Sequence, residues 1–380
     1  MSLWSSFLRV GASCALSLAL ALTLPAQTNP AAAINLEQQG RLAEAADAWR
    51  EVTRQNPKDA AAFASLGVVL SKQEKYSDAS QAYSKALALN PRLPGIHLNL
   101  GLSEFKQGHF TNAISPLSFA LKSNPSSLKA RTLLGMSYYG AKRFDQAVRI
   151  LMPVVSSDPS NTELRQILAQ SCLDAKNYSC AEEQYKQILE QNPNSTAAHM
   201  LTGEALDGLS RTPEAIVEFQ EAAKLSPSDP EVHFGLGYLY WKSHDYDKAA
   251  GEFRNVLSIS ADHAEALAYL GDIELKRGNL ESAASLLEKA TQGRSDLRIA
   301  HMDLGEVRTQ QKNYKAAAEA FKKAAVLDPT QPDAHYRLGR VYKAMGDTAK
   351  ANEEFAKTRE LHEKNDAAAV LHVKTPRPAP

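Results

Sequence analysis

Ten successive segments of 34 residues, beginning at residues 26, 60, 94, 128, 162, 196, 230, 264, 298 and 332, superpose without an insertion or deletion. Position 20 is alanine in all ten, from Ala45 to Ala351. Position 7 is leucine in eight (Leu66 to Leu338) and position 8 is glycine in eight (Gly67 to Gly339). Position 24 is always large and apolar, as in Trp49, Tyr83, Phe219 and Phe253, and position 32 is proline in seven, among them Pro91, Pro227 and Pro329. A strict period of this length means one supersecondary unit used repeatedly. Such a unit cannot bury its apolar face alone and must stack on its neighbours.

The offsets describe a helical hairpin. Apolar residues at positions 4, 7, 8 and 11 share one face of a first helix. Gly40, Gly108, Gly278 and Gly346 at position 15 predict a left-handed turn. Ser77, Thr111, Asp145, Ser179 and Asp247 are expected to cap the second helix, and the position-32 proline to stop it. Small residues at positions 8 and 20 let the two helices approach, where a larger side chain would cost about 1–3 kcal/mol.

With Leu-Gly, Ala, a large apolar residue and Pro at these offsets, the chain resembles the tetratricopeptide repeat family. The resemblance covers residues 27–365 and implies an all-α fold, a right-handed superhelical solenoid of helix-turn-helix repeats. Repeat 1, with Ala32 and Ala33 in place of Leu-Gly, is expected to be an incomplete cap. Residues 366–380, with three prolines, read as a flexible tail.

The N-terminus departs from the period. Arg9 without an acid, an apolar run over Cys14–Leu24 and the small residue Ala26 have the layout of a secretory signal over residues 1–26. The run is shorter than the roughly 20 residues a membrane span needs. The expected location is therefore periplasmic or secreted, with anchoring by an uncleaved N-terminal segment as the alternative. Lysine plus arginine and aspartate plus glutamate are 43 each, so no net charge points to nucleic acid.

No catalytic, metal or phosphate-binding motif stands out, and no cofactor is expected. His97, His199, His233, His301 and His335 all fall at position 4, a recurring packing slot that argues for a structural role and against a metal centre. The acids read as solvated helix faces. Gly235 and Gly237 form the one G-x-G, inside a helix and not at a strand-to-helix turn. Cys172 and Cys180 fall on facing helices of repeat 5, where either a disulfide or two buried thiols is compatible with the spacing.

The resemblance implies that first helices line a concave groove through positions 2, 5, 9, 12 and 13. Those slots hold Phe105, Met136 and Tyr139 in repeats 3–4, Glu204 and Asp207 in repeat 6, and Phe234, Tyr238 and Trp241 in repeat 7. Repeats 8–10 add Glu265, Asp272, Met302, Glu306, Tyr336, Arg340 and Lys343. Aromatics beside acids suit a peptide-binding surface, and Gly235 is expected to admit a ligand backbone. The carboxylate clamp of chaperone-binding members would need basic and asparagine residues where Ala64, Val68 and Leu133 stand, and the asparagine ladder of the sugar-transferring member is represented at position 6 by Asn99 alone. The expected function is an exported, non-catalytic scaffold that binds protein or peptide partners in its groove as an assembly or adaptor factor of the cell envelope. The alternative is a structural or regulatory subunit docking by its convex face on a membrane export or polysaccharide-secretion complex. Contact with a membrane is expected only through an uncleaved signal or such a complex.

Overall fold

The computed structural model describes residues 29–374, with side chains to residue 367; the expected signal and residues 375–380 lie outside the described residues. Among the described residues every regular element is a helix. The chain divides into two compact units, with the boundary between residues 154 and 155. The first contains α1 (Pro30–Gln38), α2 (Leu42–Gln55), α3 (Ala60–Lys72), α4 (Tyr76–Leu89), α5 (Ile96–Lys106), α6 (Phe110–Ser123), α7 (Leu128–Gly140) and most of α8 (Phe144–Ser157). The second contains α9 (Thr162–Asp174), α10 (Tyr178–Gln191), α11 (Thr196–Gly208), α12 (Thr212–Leu225), α13 (Pro230–Lys242) and α14 (Tyr246–Ile259). It continues with α15 (Ala264–Lys276), α16 (Leu280–Gly293), α17 (Arg298–Gln310), α18 (Tyr314–Leu327), α19 (Asp333–Ala344) and α20 (Thr348–Lys374).

Within each unit, helices pack as consecutive hairpins: α3 on α4, α5 on α6, α13 on α14, α15 on α16. First helices also touch the first helices of the next repeat, α3 on α5, α5 on α7, α13 on α15 and α15 on α17, and no two second helices pack as closely among the described residues. First helices therefore line the inside of the curvature in each unit. That is the solenoid arrangement expected from the period.

The hairpin turn is sharper than the glycines alone suggest. All ten residues at position 15 have a left-handed backbone, four glycines together with Glu74, Lys142, Lys176, Ser210, His244 and Lys312 at φ between 57° and 62°. That conformation costs an L-residue roughly 1–2 kcal/mol, so tertiary packing imposes the turn wherever glycine is absent. The reversal is complete within one residue, and the second helix starts one residue before the expected caps. Ser77, Thr111, Asp145, Ser179 and Asp247 therefore lie inside the first turn. The capping acceptors are one position after the turn: Asn177 accepts from the Cys180 N–H, Asp245 from Lys248 and Asn313 from Ala316. First helices are capped by the last residue of the preceding repeat, as Asp59, Ser127, Asn161, Ser195 and Asp229 show.

The position-8 glycine makes room for the large residue at position 24 on its partner helix. A Cβ on Gly67 would lie 2.5 Å from the Tyr83 ring, and one on Gly237 2.9 Å from the Phe253 ring. Phe253 and Tyr83 are consequently sealed in the core, each burial contributing about 1.5–3 kcal/mol.

Position 4 stitches repeats together. His97, His199, His233 and His301 direct Nε2 at the position-32 carbonyl of the preceding repeat, at 2.9–3.1 Å, and Arg131 and Arg165 use a guanidinium for the same bond. His199, His233 and His335 turn Nδ1 to the position-23 carboxylates Glu218, Glu252 and Glu354 at 2.6–2.7 Å. For His233 both partners are acceptors, which favours the doubly protonated ring. Burial opposes that charge, but the Pro227 carbonyl and the Glu252 carboxylate outweigh it and hold the imidazole above its ordinary pKa.

The array's ends differ from the expectation at one side. α1 has nine residues, capped by Asn29 with Pro30 at its first turn, and is shorter than the other first helices, as an incomplete cap should be. The tail expected to be flexible from residue 366 is helical as far as Lys374. Ala-rich sequence without proline before Pro376 lets α20 propagate.

Candidate groove of repeats 7–10

In the second unit, α13, α15, α17 and α19 turn a continuous set of aromatic and charged side chains to the inner face. Trp241 donates its indole N–H to Asp272 on the next first helix, at 2.6 Å, and Lys276 makes an ion pair with the same carboxylate. Tyr269 is packed between these groups: its ring centroid is 5.0 Å from Trp241, 5.7 Å from Tyr238 and 6.0 Å from Phe234. Phe234 also stacks on His263 at 5.1 Å, and Tyr238 on Trp241 at 6.1 Å. Burial pushes the Tyr269 phenol up to about 12, so it is neutral at any physiological pH.

The expected aromatic strip is thus present, but it has two roles. Phe234 and Trp241 are half-buried and pack on the core of repeats 6–8, while Tyr238 is half-buried, stacked on Trp241 and edge-to-face with Tyr269. Asp272 does not belong to a solvated face, as its 4% exposure shows. Such burial is sustained by the indole donor and the ammonium together. Gly235 also departs from its expected role. A Cβ there would lie 2.2 Å from the Phe219 ring, so the glycine admits Phe219 of the preceding repeat and not a ligand. Phe219 is clasped between Gly235 and Gly203.

Farther along, Glu306 pairs with Arg337, and these two line a cavity of about 220 Å³ with Thr309, Tyr314, Phe321 and Arg340. Arg340 and Lys343 are exposed, and Tyr336, 49% exposed, leans on Phe355 at 6.0 Å. Met302 packs against the core of repeats 9–10. Glu265 is engaged by Arg294. In repeat 6, Asp207 accepts from Lys242 at 2.7 Å and from the Thr212 hydroxyl at 3.0 Å. Crowding by protein and the Asp174 carboxylate push Glu204 upward. Phe105, Met136 and Tyr139 belong to the first unit, where Phe105 meets Phe110 edge-on at 5.5 Å, Tyr139 lies 6.0 Å from Phe144 and Met136 is half-buried.

Asp303 was outside the expected slots. Its Oδ2 is buried with no hydrogen-bond partner, although the residue as a whole is only half-buried. Burial first, and then the Asp272 charge, push its carboxyl up to about 8, against the opposing pull of Lys276 and Arg337. Tyr269, Asp303 and Arg337 all stand at position 6. Their signal in the sequence is a column that turns from Leu133, Ile167 and Leu201 to these three polar side chains.

In repeat 5, Cys172 and Cys180 form a disulfide between α9 and α10, with Cα atoms 5.7 Å apart. No described helix is long and apolar enough to cross a membrane.

Family models described as TPR repeat match residues 70–108, 209–243 and 305–346. Others described as tetratricopeptide repeat match residues 104–170, 234–298 and 333–365, and together these spans take in well over half the chain. The chain belongs to the tetratricopeptide repeat family. Among solved structures, this TPR chain is similar to the APC/C hetero-tetramer Cut9-Hcn1, at 13% identity and a TM-score of 0.52 over 91% of this chain and 82% of that one. MamA from Desulfovibrio magneticus RS-1 is 25% identical, with a TM-score of 0.41 over 45% of this chain and 97% of that one. YrrB, described as a TPR protein with an unusual peptide-binding site, is 21% identical, with a TM-score of 0.40 over 51% and 99%. No curated protein matches the chain.

Proposed function

We propose that the protein is a non-catalytic scaffold that holds a peptide or protein segment on the first helices of repeats 7–10. The observation that carries this reading is an inner face where half-exposed Tyr238, exposed Arg340 and Lys343 and the half-buried Asp303 surround groups already paired with one another. Rigid aromatics among fixed charges are what a peptide backbone and its side chains bind. An exported assembly or adaptor role fits the signal-like N-terminus, and the Cys172–Cys180 bridge supports an oxidising compartment.

A photo-crosslinking residue at position 340, on α19, tests the groove against one at Val326, 79% exposed on the second helix α18. The groove reading expects partner adducts from 340 in living cells, identified by mass spectrometry, and few from 326. Adducts from 326 alone would move the partner to the second-helix face and favour a docking subunit.

A further inference from the structure

Around Asp303, on the inner face of repeats 8–10, the neighbouring charges are already paired with one another. Lys276 is committed to Asp272, which also accepts from Trp241, and Arg337 is committed to Glu306. The remaining carboxyl, Asp303, interacts with all four of these charged groups and still leaves Oδ2 buried without a donor. Buried polar atoms without partners are uncommon enough that each asks for a reason, and a ligand group is one such reason. The approach to this carboxyl is aromatic. Tyr269 is one repeat away at the same register position, its ring within 5.0–6.0 Å of those of Trp241, Tyr238 and Phe234. Aromatic faces attract an ammonium or guanidinium and also cover the methylene stem that carries it.

We propose that the groove of repeats 7–10 receives a lysine or arginine side chain of its bound peptide, with the charged head on Asp303 and the stem along Tyr269 and Tyr238. This rests on the groove reading above and adds the chemical class of the partner: a segment with a basic residue. The paired acids Asp272 and Glu306 keep their own cations, so the site is set for a single positive charge and not for a polybasic stretch. The raised Asp303 carboxyl fits the same account, since a carboxyl without a counterion holds its proton and releases it when a cation arrives.

The test selects phage-displayed random dodecapeptides on the purified full chain, with a Tyr238→Ala chain as counter-screen. Far-UV circular dichroism checks that each variant keeps its helicity. Peptides that depend on Tyr238 are expected to share a lysine or arginine. A synthetic copy should lose roughly tenfold or more in affinity on Asp303→Asn, the loss of one charge-assisted hydrogen bond. Replacing its basic residue with glutamine should weaken binding to the unmodified chain, and Asp303→Asn should then add little further loss. Tyr238-dependent peptides without a basic residue, or equal affinity for Asp303→Asn, would overturn the cation site and leave the groove intact. If no peptide depends on Tyr238, both the cation site and the groove reading fall.

Discussion

At the scale of single residues, Asp303 and Gly235 show how local chemistry is set by the neighbouring repeat. Asp303 has its folded pKa raised to about 8, above the ordinary aspartate value of 3.8. Below pH 3.8 both folded and unfolded chains hold the proton, and this group costs no stability. As pH rises from about 4 to 8 the unfolded chain releases the proton while the folded chain keeps it, so stability falls, and above 8 the loss levels off. The melting temperature of Asp303→Asn relative to the natural chain should therefore climb between pH 4 and 8 and then stay flat; a constant difference would contradict the burial assigned to this carboxyl. Gly235→Ala should destabilise the chain by about 1–3 kcal/mol in urea titration, because the new methyl meets the Phe219 ring at 2.2 Å. Adding Phe219→Leu should return part of that loss. Neither role was visible in the sequence. Gly235 lacks the period that explains Gly237, and Asp303 is meaningful only beside Asp272, Lys276 and Arg337, from the repeats on either side.

The element scale is where the sequence was most legible. A 34-residue period with alanine at position 20 and large residues at position 24 specifies two helices and their contact face, and the observed hairpins follow it. The capping residues were less legible because polar side chains stand at both position 16 and position 18. Only the left-handed residue at position 15 decides between them, and six of those ten residues are not glycine. This turn supplies its own test. Gly278 has φ of 80° and open space where a Cβ would stand, so Gly278→Ala should cost about 1–2 kcal/mol through backbone strain alone. Lys142→Gly, at φ of 57°, should raise stability by a few tenths to about 1 kcal/mol. Chemical denaturation of the two variants would show opposite shifts; shifts of the same sign would mean that the turn is not the source of strain.

At the scale of the whole molecule, each unit grows by adding one hairpin to the last, and the position-4 bonds to the preceding repeat tie successive hairpins. Such arrays are held by neighbour contacts, with the first helices gathered on the inside of each unit. Fold was legible at this scale because it is periodic. Binding was only partly legible because a groove takes its character from where the period is broken: a tyrosine, an aspartate and an arginine in a column that is apolar in repeats 4–6. The most direct test of the groove account is hydrogen exchange on the full chain with and without a Tyr238-dependent dodecapeptide. The account predicts that bound peptide slows exchange in α13, α15, α17 and α19, with the second helices α14, α16 and α18 little changed. Protection centred on α14, α16 and α18 would place binding on the outer face and contradict it.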